Sequence, residues 1–371
     1  MMKKICYLAD ASNPHVKKYC NFFLKKGYDI SIISLNGGEI DGVKVYDFNA
    51  NVGELRNKGI FKKFGYLNNI GEIKRLVNTI KPDIFHAQYA SSYGFLGSLI
   101  GYKPFIISVW GTDIYDFPRN GVIQKLIIKH NFRKADYIFS NSVDMAREAN
   151  LYTDKRVDIT YFGVDMERFI PLENSKDESF FTFGIVKSLE KKYGIKYLIE
   201  AYEMLYKKYN GEKDGKRLRL LIGGNGQERE ALELQAQNSD VNDTITFLGR
   251  VQPEDIVRTY NSCDVCVFPS LREGFGVSAI ESQACETPVI ITNVGGHPES
   301  VDAGKTGIIV EPKSSEELFR AMEKLMLDDK MRIDMGKSGR VFVREHYRFE
   351  DNFEDISKIY DDVLEKYPIN K

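Results

Sequence analysis

Two glutamates, Glu273 and Glu281, are separated by seven residues in the stretch REGFGVSAIES. Gly274 and Gly276 permit a sharp bend after the strand candidate VCVFPS, and the pattern becomes helical from Val277. The start of such a helix directs free N–H groups and the positive end of its dipole at an anion such as a diphosphate. Glu273 precedes the bend and Glu281 lies about one turn into the helix. The two carboxylates could therefore accept hydrogen bonds from hydroxyls on either side of a diphosphate, as a nucleotide sugar presents them.

The same two glutamates have a simpler interpretation, a solvated loop charge and a surface helix residue, because exposed glutamates are common. Two further glycine clusters bear on the choice. LLIGGNGQERE, with Gly223, Gly224 and Gly226, and VGGHPES, residues 294–300, each follow a strand candidate. Either cluster alone is compatible with a plain turn. Because all three clusters follow strands of one predicted sheet, they could lie at one rim of it.

Short apolar runs alternate with amphipathic stretches along the whole chain, which predicts parallel, doubly wound α/β sheets. The first series of strand candidates is KKICYLAD, YDISIISL, KVYDF, DIFHAQ, PFIISVWG, DYIFSNS and DITYFGV. The second series is FFTFGIV, RLRLLIGG, TITFLG, VCVFPS, PVIITN and GIIVE. Between them, FGVDMERFIPLENSKDES has the composition of a linker. We therefore expect two α/β domains.

Composition excludes several classes of protein. The chain has 371 residues, of which 43% are hydrophobic and 12% aromatic, enough for large cores and two domains. No stretch approaches the roughly 20 apolar residues of a membrane span, and MMKKICYLADASNPH does not resemble a secretory signal, so we expect a cytoplasmic protein. The five cysteines are an odd number, and the Cys263/Cys266 pair is better interpreted as core than as a redox or zinc site.

The run PSLREGFGVSAIESQACETPVIITNVGGHPESVDAGKTGIIVEP closely resembles the donor-binding signature of retaining glycosyltransferases of family 4, which have the GT-B fold. YFGVDMERFIP resembles the element that leads into the nucleotide-binding domain of that family. The resemblance implies two Rossmann-like, doubly wound domains facing a central cleft. It places an acceptor-binding domain at 1–164, with the C-terminal helix 349–371 packing back on it, and a donor-binding domain at 165–348.

The resemblance also assigns roles in the donor domain. Glu281 would bind the ribose hydroxyls, Glu273 would contact the transferred hexose, and the backbone at Phe275, Gly276 and Val277 would hold the diphosphate. We further assign three residues that follow strand candidates to donor contacts: Gly224, Gly226 and Arg250.

One departure from the family pattern concerns the cations that neutralise the leaving diphosphate. In GIVKSLEKKYGIKYLIEA, Ser188 and Tyr193 stand at the positions where the family usually has Arg and Lys. Lys187 and Lys192 lie one residue earlier and keep the five-residue spacing, so we assign the cationic role to them, with Lys191 as the competitor. Departure of a nucleoside diphosphate requires such charge stabilisation.

The first half is predicted to bind the acceptor, through Asn13, His15 and Trp110. His15 could instead cap the following helix, and Trp110 could be a core aromatic. Asp113, in WGTD, and His86, in DIFHAQ, are predicted catalytic residues by resemblance; a buried, satisfied histidine is the alternative for His86.

The resemblance implies transfer of a hexose from a nucleoside diphosphate sugar, with UDP favoured over GDP, to a hydroxyl acceptor with retention. It implies synthesis of a cell-surface glycan or glycolipid, a sugar, lipid-linked or small-molecule acceptor, no cofactor and no metal. The alternatives are an isomerase like UDP-N-acetylglucosamine 2-epimerase and a non-catalytic nucleotide-sugar-binding subunit. No nucleic-acid module is present. Residues 56–76 interleave basic and apolar side chains, which suits either a peripheral contact with the inner membrane face or a solvated basic helix.

Overall fold

The computed structural model describes residues 2–48 and 62–367. The chain divides into two compact units. The first comprises Met1–Phe162 and Glu350–Lys371, and the second comprises Gly163–Phe349. The change of unit after Phe162 lies two residues before the predicted boundary at 164.

A parallel sheet forms the centre of the first unit. Within the described residues its strand order is β3-β2-β1-β4-β5-β6-β7. The central strands are buried along their whole length or nearly so, because helices cover both faces of the sheet. The strands are β1 Lys4–Leu8, β2 Asp29–Ser34, β3 Lys44–Asp47, β4 Ile84–Gln88, β5 Phe105–Val109, β6 Tyr137–Ser140 and β7 Val157–Ile159. Each overlaps a strand candidate of the first series, although β7 ends at Ile159 and leaves most of DITYFGV outside the strand.

Helices follow most of these strands: α1 Pro14–Lys25, α2 Ile70–Ile80, α3 Ser92–Ile100, α4 Thr112–Tyr115, α5 Val122–Lys134 and α6 Val143–Ala149. The start of α1 shows why the polar stretch after β1 becomes helical. The side chain of Asn13 accepts a hydrogen bond of 2.8 Å from the backbone N–H of His15, and Pro14 occupies the first helical position.

The second unit has its own parallel sheet, with the order β11-β10-β8-β12-β13-β14 in the described chain. Its strands are β8 Phe180–Val186, β9 Glu212–Lys213, β10 Lys216–Gly223, β11 Ile245–Gly249, β12 Val265–Phe268, β13 Val289–Thr292 and β14 Gly307–Val310. The sequence predicted all of them except β9. This short, charged strand pairs antiparallel with β10 and has no apolar pattern by which it could be recognised.

The helices of the second unit are α7 Ile195–Lys208, α8 Arg229–Gln237, α9 Ile256–Asn261, α10 Val277–Ala284, α11 Ser315–Leu327 and α12 Asp329–His346. The stretch predicted as a linker belongs mostly to this unit. The side chain of Asn261 accepts a hydrogen bond from the N–H of Leu172 and donates one to the carbonyl of Ile170, at 2.7 and 2.9 Å. The change of unit lies at the start of the predicted linker, and these hydrogen bonds hold its later residues against the second unit.

The last helix, α13 Phe349–Lys366, packs on the first unit from Glu350 onward. Its buried residues include Phe353, Ile356 and Tyr360. The ring centroids of Phe353 and Tyr19 are 4.8 Å apart. Lys3 pairs with Asp361 at the surface. The C-terminal helix thus completes the core of the first unit.

The basic segment 56–76 is described only in part. Residues 56–61 lie outside the described residues, and in its helical part, α2, Ile73 and Val77 are buried. No described helix is both long and apolar enough to cross a bilayer. The peripheral membrane contact of this segment stays a prediction.

Candidate functional site

The Gly-Phe-Gly turn opens α10, as the sequence predicted. Gly276 is the residue before the helix and has a φ of +102°, a conformation that favours glycine. A Cβ at this position would lie 2.6 Å from Cδ2 of His297, so space also requires glycine. The first N–H groups of α10 have no partner within the helix. The turn therefore presents a helix start suited to an anion.

Phe275 anchors this turn. Its side chain is buried, and its ring packs edge-on against Tyr347 with the centroids 4.9 Å apart. Because the side chain faces the core, the backbone of residues 275–277 is the part that could contact a diphosphate, as the resemblance implied. Val277 begins the helix itself.

Glu273 and Lys187, which are 86 positions apart in the sequence, form an ion pair. Nζ of Lys187 lies 2.7 Å from Oε2 of Glu273, and the two side chains are only 13% and 12% exposed. Burial is the largest effect on the pKa of Lys187 and acts to lower it, but the charge and hydrogen bond of Glu273, together with smaller effects of other neighbours, raise the pKa. Burial is the largest effect on the pKa of Glu273 and acts to raise it, but the charge and hydrogen bond of Lys187, together with smaller effects of other neighbours, lower the pKa. Both groups therefore remain ionised at neutral pH.

Lys192 lies beside the same pair. The ring of Tyr193 has Nζ of Lys187 at 4.7 Å and Nζ of Lys192 at 4.9 Å from its centroid. Lys192 also pairs with Glu190 at 3.0 Å. The two predicted cations thus share one aromatic ring, whereas the competitor Lys191 is exposed.

Backbone contacts connect this lysine turn to the loop that carries Glu273. The carbonyl of Lys192 accepts hydrogen bonds from the N–H groups of Leu271 and Arg272, at 2.7 and 3.2 Å. The lysine turn is consequently fixed next to the Gly-Phe-Gly turn.

Glu281 projects from α10 and is partly buried. The hydroxyl of Tyr260, on α9, lies 3.4 Å from Oε2 of Glu281 and can donate to it. Burial raises the pKa of Tyr260 well above its usual value, so the phenol keeps its proton. The charge of Glu281 also contributes to the raised pKa of Lys187. Sequence reasoning missed Tyr260, because nothing in its local pattern distinguishes it from a core tyrosine.

The GGNG turn is explained by close packing. A Cβ on Gly224 would lie 1.9 Å from the carbonyl oxygen of Lys187, and one on Gly226 would lie 2.3 Å from that of Leu189. Their N–H groups donate to the carbonyl of Gly249 and the side chain of Asn225. The glycines let this turn approach the loop of Lys187, and the donor contacts of Gly224 and Gly226 stay a prediction. Arg250 is exposed after β11, and its donor contact stays a prediction.

His297 is a site residue that the prediction did not include. It lies in a short 3₁₀ turn, His297–Ser300, and is 1% exposed. Burial lowers the pKa of His297 to about 4, against the opposing effect of the Glu273 charge, so the ring is neutral at pH 7. The VGGHPES motif predicted a turn at the rim of the sheet. That the His297 side chain points toward Gly276 could be seen only in the structure.

In the first unit, His15, Trp110 and Phe162 form a ring cluster. The rings of His15 and Phe162 stack with centroids 4.0 Å apart, and Trp110 meets Phe162 edge-on at 5.3 Å. Trp110 and His15 are partly exposed, so both remain candidates for an acceptor contact. Asn13 caps α1, and the alternative that His15 caps it is therefore wrong.

Asp113 is fully buried, and its carboxylate accepts hydrogen bonds from the N–H groups of Ala90, Trp110 and Gly111 at 2.7–3.0 Å. Burial raises the pKa of Asp113 in spite of these bonds. Because the oxygens bind the backbone, the catalytic prediction for Asp113 is corrected. The residue positions the loop that carries Trp110.

His86 is also fully buried. Its Nδ1 lies 2.6 Å from the hydroxyl of Tyr360, and its Nε2 lies 2.7 Å from the hydroxyl of Ser108. Burial lowers the pKa of His86 to about 3. The structure supports the alternative that the sequence left open, a satisfied core histidine, and the catalytic prediction is corrected.

Two family models match separate parts of the chain. One, described as glycosyl transferases group 1, matches residues 167–342, and the other, described as glycosyl transferase 4-like, matches residues 4–142. The chain is 32% identical to a D-inositol 3-phosphate glycosyltransferase of Corynebacterium jeikeium over 54% of this chain and half of that protein. It is 27% identical to the capsular polysaccharide biosynthesis glycosyltransferase CapM of Staphylococcus aureus over 98% of both chains.

Among solved structures, the fold is similar to that of Anabaena Alr3699/HepE in complex with UDP. The TM-score is 0.78 at 16% identity, over 98% of this chain and all of the other. At this level of identity the likeness concerns the fold.

Proposed function

We propose that this chain, which belongs to the glycosyl transferases group 1 and has the GT-B fold, transfers a hexose from a nucleoside diphosphate sugar to a hydroxyl acceptor with retention of configuration. The observation that carries the proposal is the largely buried Lys187–Glu273 pair beside the start of α10, with Glu281 further along the same helix. This arrangement offers a cation, a helix start and two carboxylates to one ligand.

The charges suit such a donor. A diphosphate at the start of α10 would be stabilised by the helix dipole and by Lys187 and Lys192. Glu281 would accept hydrogen bonds from the ribose hydroxyls, with Tyr260 holding the carboxylate in position. Glu273, held by Lys187, would accept from a hydroxyl of the hexose.

The proposed step breaks the bond between the anomeric carbon and the diphosphate oxygen and forms one to the acceptor oxygen on the same face. The acceptor proton passes to the departing diphosphate oxygen. Stabilisation of the charge that develops on this oxygen is the main task of the protein, and Lys187 and Lys192 are the residues proposed for it.

A role in cell-surface glycan or glycolipid synthesis is part of the proposal. It is supported by the similarity over nearly the full length to CapM, whose name refers to capsular polysaccharide. The preference for UDP is supported by the solved HepE complex with UDP, which has a similar fold. The acceptor would bind through the first unit, with Trp110 and His15 as its proposed contacts.

The reaction can be tested with a donor panel. We expect one of UDP-glucose, UDP-N-acetylglucosamine, UDP-galactose and GDP-mannose to raise the melting temperature, because a ligand that binds only the folded state stabilises it. That donor should then label a lipid or glycan fraction. An epimer formed from donor alone would favour the isomerase, and donor binding without turnover in any fraction would favour a non-catalytic subunit.

Metal independence is a second expectation. The lysines supply the positive charge, so we expect transfer rates measured in excess EDTA to equal those measured without it. Mg²⁺ or Mn²⁺ should add less than twofold. A loss of activity that Mn²⁺ restores would contradict the proposal and move the charge stabilisation from the lysines to a metal ion.

A further inference from the structure

Two ammonium groups contact a single aromatic ring, that of Tyr193. Nζ of Lys187 lies 4.7 Å from the ring centroid and Nζ of Lys192 lies 4.9 Å from it. At such distances an ammonium group is attracted by the negative π face of the ring. Tyr193 therefore connects two lysines whose charges would otherwise drive them apart.

The backbone that carries the ring is fixed by close packing. Tyr193 ends a short 3₁₀ turn, Lys191–Tyr193, and its N–H donates a hydrogen bond of 2.9 Å to the carbonyl of Glu190. Gly194 follows with a φ of +62°, and a Cβ at this position would lie 2.2 Å from the carbonyl oxygen of Pro269. The turn thus lies directly against the segment that follows β12, and this contact sets the place of the ring.

The two lysines have different carboxylate partners. Lys187 pairs with Glu273 at 2.7 Å, and Lys192 pairs with Glu190 at 3.0 Å. Each carboxylate compensates part of the charge of its lysine, whereas the ring of Tyr193 is neutral. Since an ammonium group has three N–H donors, one bond to a carboxylate and one contact with the ring leave a donor for a further oxygen. The ring can therefore hold both ammonium groups without reducing their charge.

The burial of the side chains in this turn follows the same arrangement. The side chains of Lys187 and Lys192 are 13% and 32% exposed, whereas Ser188 and Lys191 are exposed residues. A lysine in place of Tyr193 would bring a third ammonium group close to the other two, and like charges at short distance repel one another. A neutral ring avoids this repulsion at the centre of the turn.

We propose that Tyr193 is a positioning residue of the transfer reaction, whose ring holds the ammonium groups of Lys187 and Lys192 ready for the leaving diphosphate. The inference rests on the proposed function of this site and adds to it a residue that carries no charge. A lysine side chain has many rotamers, so two lysines that are ordered in advance need less rearrangement as charge develops on the diphosphate.

Substitutions of Tyr193 separate the ring from its hydroxyl group. With the donor that the unchanged chain turns over, we expect Tyr193→Leu to lower kcat about tenfold, because two contacts between an ammonium group and the ring are lost. The KM for that donor should change less than about threefold, since the contacts matter most when charge develops in the transition state. Tyr193→Phe keeps the ring and should retain kcat within about twofold.

Tyr209, at the far end of α7, provides a matched control. Nζ of Lys208 lies 5.7 Å from its ring centroid, and its hydroxyl donates a hydrogen bond of 2.8 Å to Glu323. Tyr209→Leu should lower the melting temperature and leave kcat unchanged. Melting temperatures of all three variants show whether each is folded and whether a loss of kcat follows a loss of stability.

Each outcome distinguishes one interpretation from another. An equal loss of kcat in Tyr209→Leu would assign the effect to stability, and an equal loss in Tyr193→Phe would assign it to the hydroxyl group; either result would overturn the proposal. Full kcat in Tyr193→Leu would also overturn it, while the proposed function would stand. Absence of turnover of any donor by the unchanged chain would instead refute the proposed function itself.

Discussion

Replacement of Lys187 by Met is expected to lower the rate of sugar transfer about 100-fold or more, because a buried cation that stabilises the leaving diphosphate is lost. The same change leaves Glu273 charged and only 12% exposed, without its partner at 2.7 Å. Breaking a pair of this kind costs about 3 kcal/mol of unfolding free energy. Initial rates at saturating donor, together with urea unfolding, measure both effects.

A double variant separates the two effects. Lys187→Met combined with Glu273→Gln removes both charges, so much of the lost stability should return while transfer remains low. Lys191→Met, at an exposed position of the same turn, is the control and should retain transfer. If Lys191→Met proved as inactive as Lys187→Met, or if Lys187→Met kept full activity at saturating donor, the assignment of the cation would be wrong.

Most strands and helices could be predicted from the local sequence pattern, because buried parallel strands are short apolar runs between amphipathic helical stretches. The turn at Gly276 followed as well, since glycine after a strand and before a helix limits the backbone to few conformations. Lys187 was assigned as a cation by its spacing from Lys192, although the family pattern would place the cations one residue later, and the assignment stays a prediction. Tyr193 stands at one of those family positions, and the ammonium groups of Lys187 and Lys192 both contact its ring.

The exposure of the candidate site residues, in contrast, could not be predicted from the sequence. His86 was expected at the rim of the sheet, but it is the middle residue of β4, and Nδ1 of its ring is hydrogen-bonded to Tyr360 of α13, 274 residues later in the sequence. Asp113 was predicted to be catalytic, but its carboxylate accepts hydrogen bonds from three backbone N–H groups. Gly224 and Gly226 are required by the close approach of the loop that carries Lys187 and Leu189. In each case the contact that buries or occupies the residue is made either by a residue distant in sequence or by backbone atoms. Contacts of these two kinds leave no pattern of residue types in the local sequence.

The two corrected residues change how the first unit is understood. Since Asp113 positions the loop of Trp110, and His86 ties the sheet to α13, both act through the structure they hold. The partly exposed residues Asn13, His15 and Trp110 are then the remaining proposed contacts for an acceptor in that unit. The proposed donor contacts, in contrast, all belong to the second unit.

Glu281→Ala is expected to weaken binding of the matching nucleoside diphosphate about 100-fold or more, because two charge-assisted hydrogen bonds to ribose hydroxyls would be lost. Titration calorimetry with the free diphosphate measures this without turnover. Tyr260→Phe should weaken binding only a few-fold, since it removes a 3.4 Å contact to the Glu281 carboxylate and keeps the ring. Glu230→Ala, an exposed glutamate of α8, is the control. An unchanged affinity in Glu281→Ala would refute the ribose assignment, and an equal loss in Glu230→Ala would show that the effect is one of net charge.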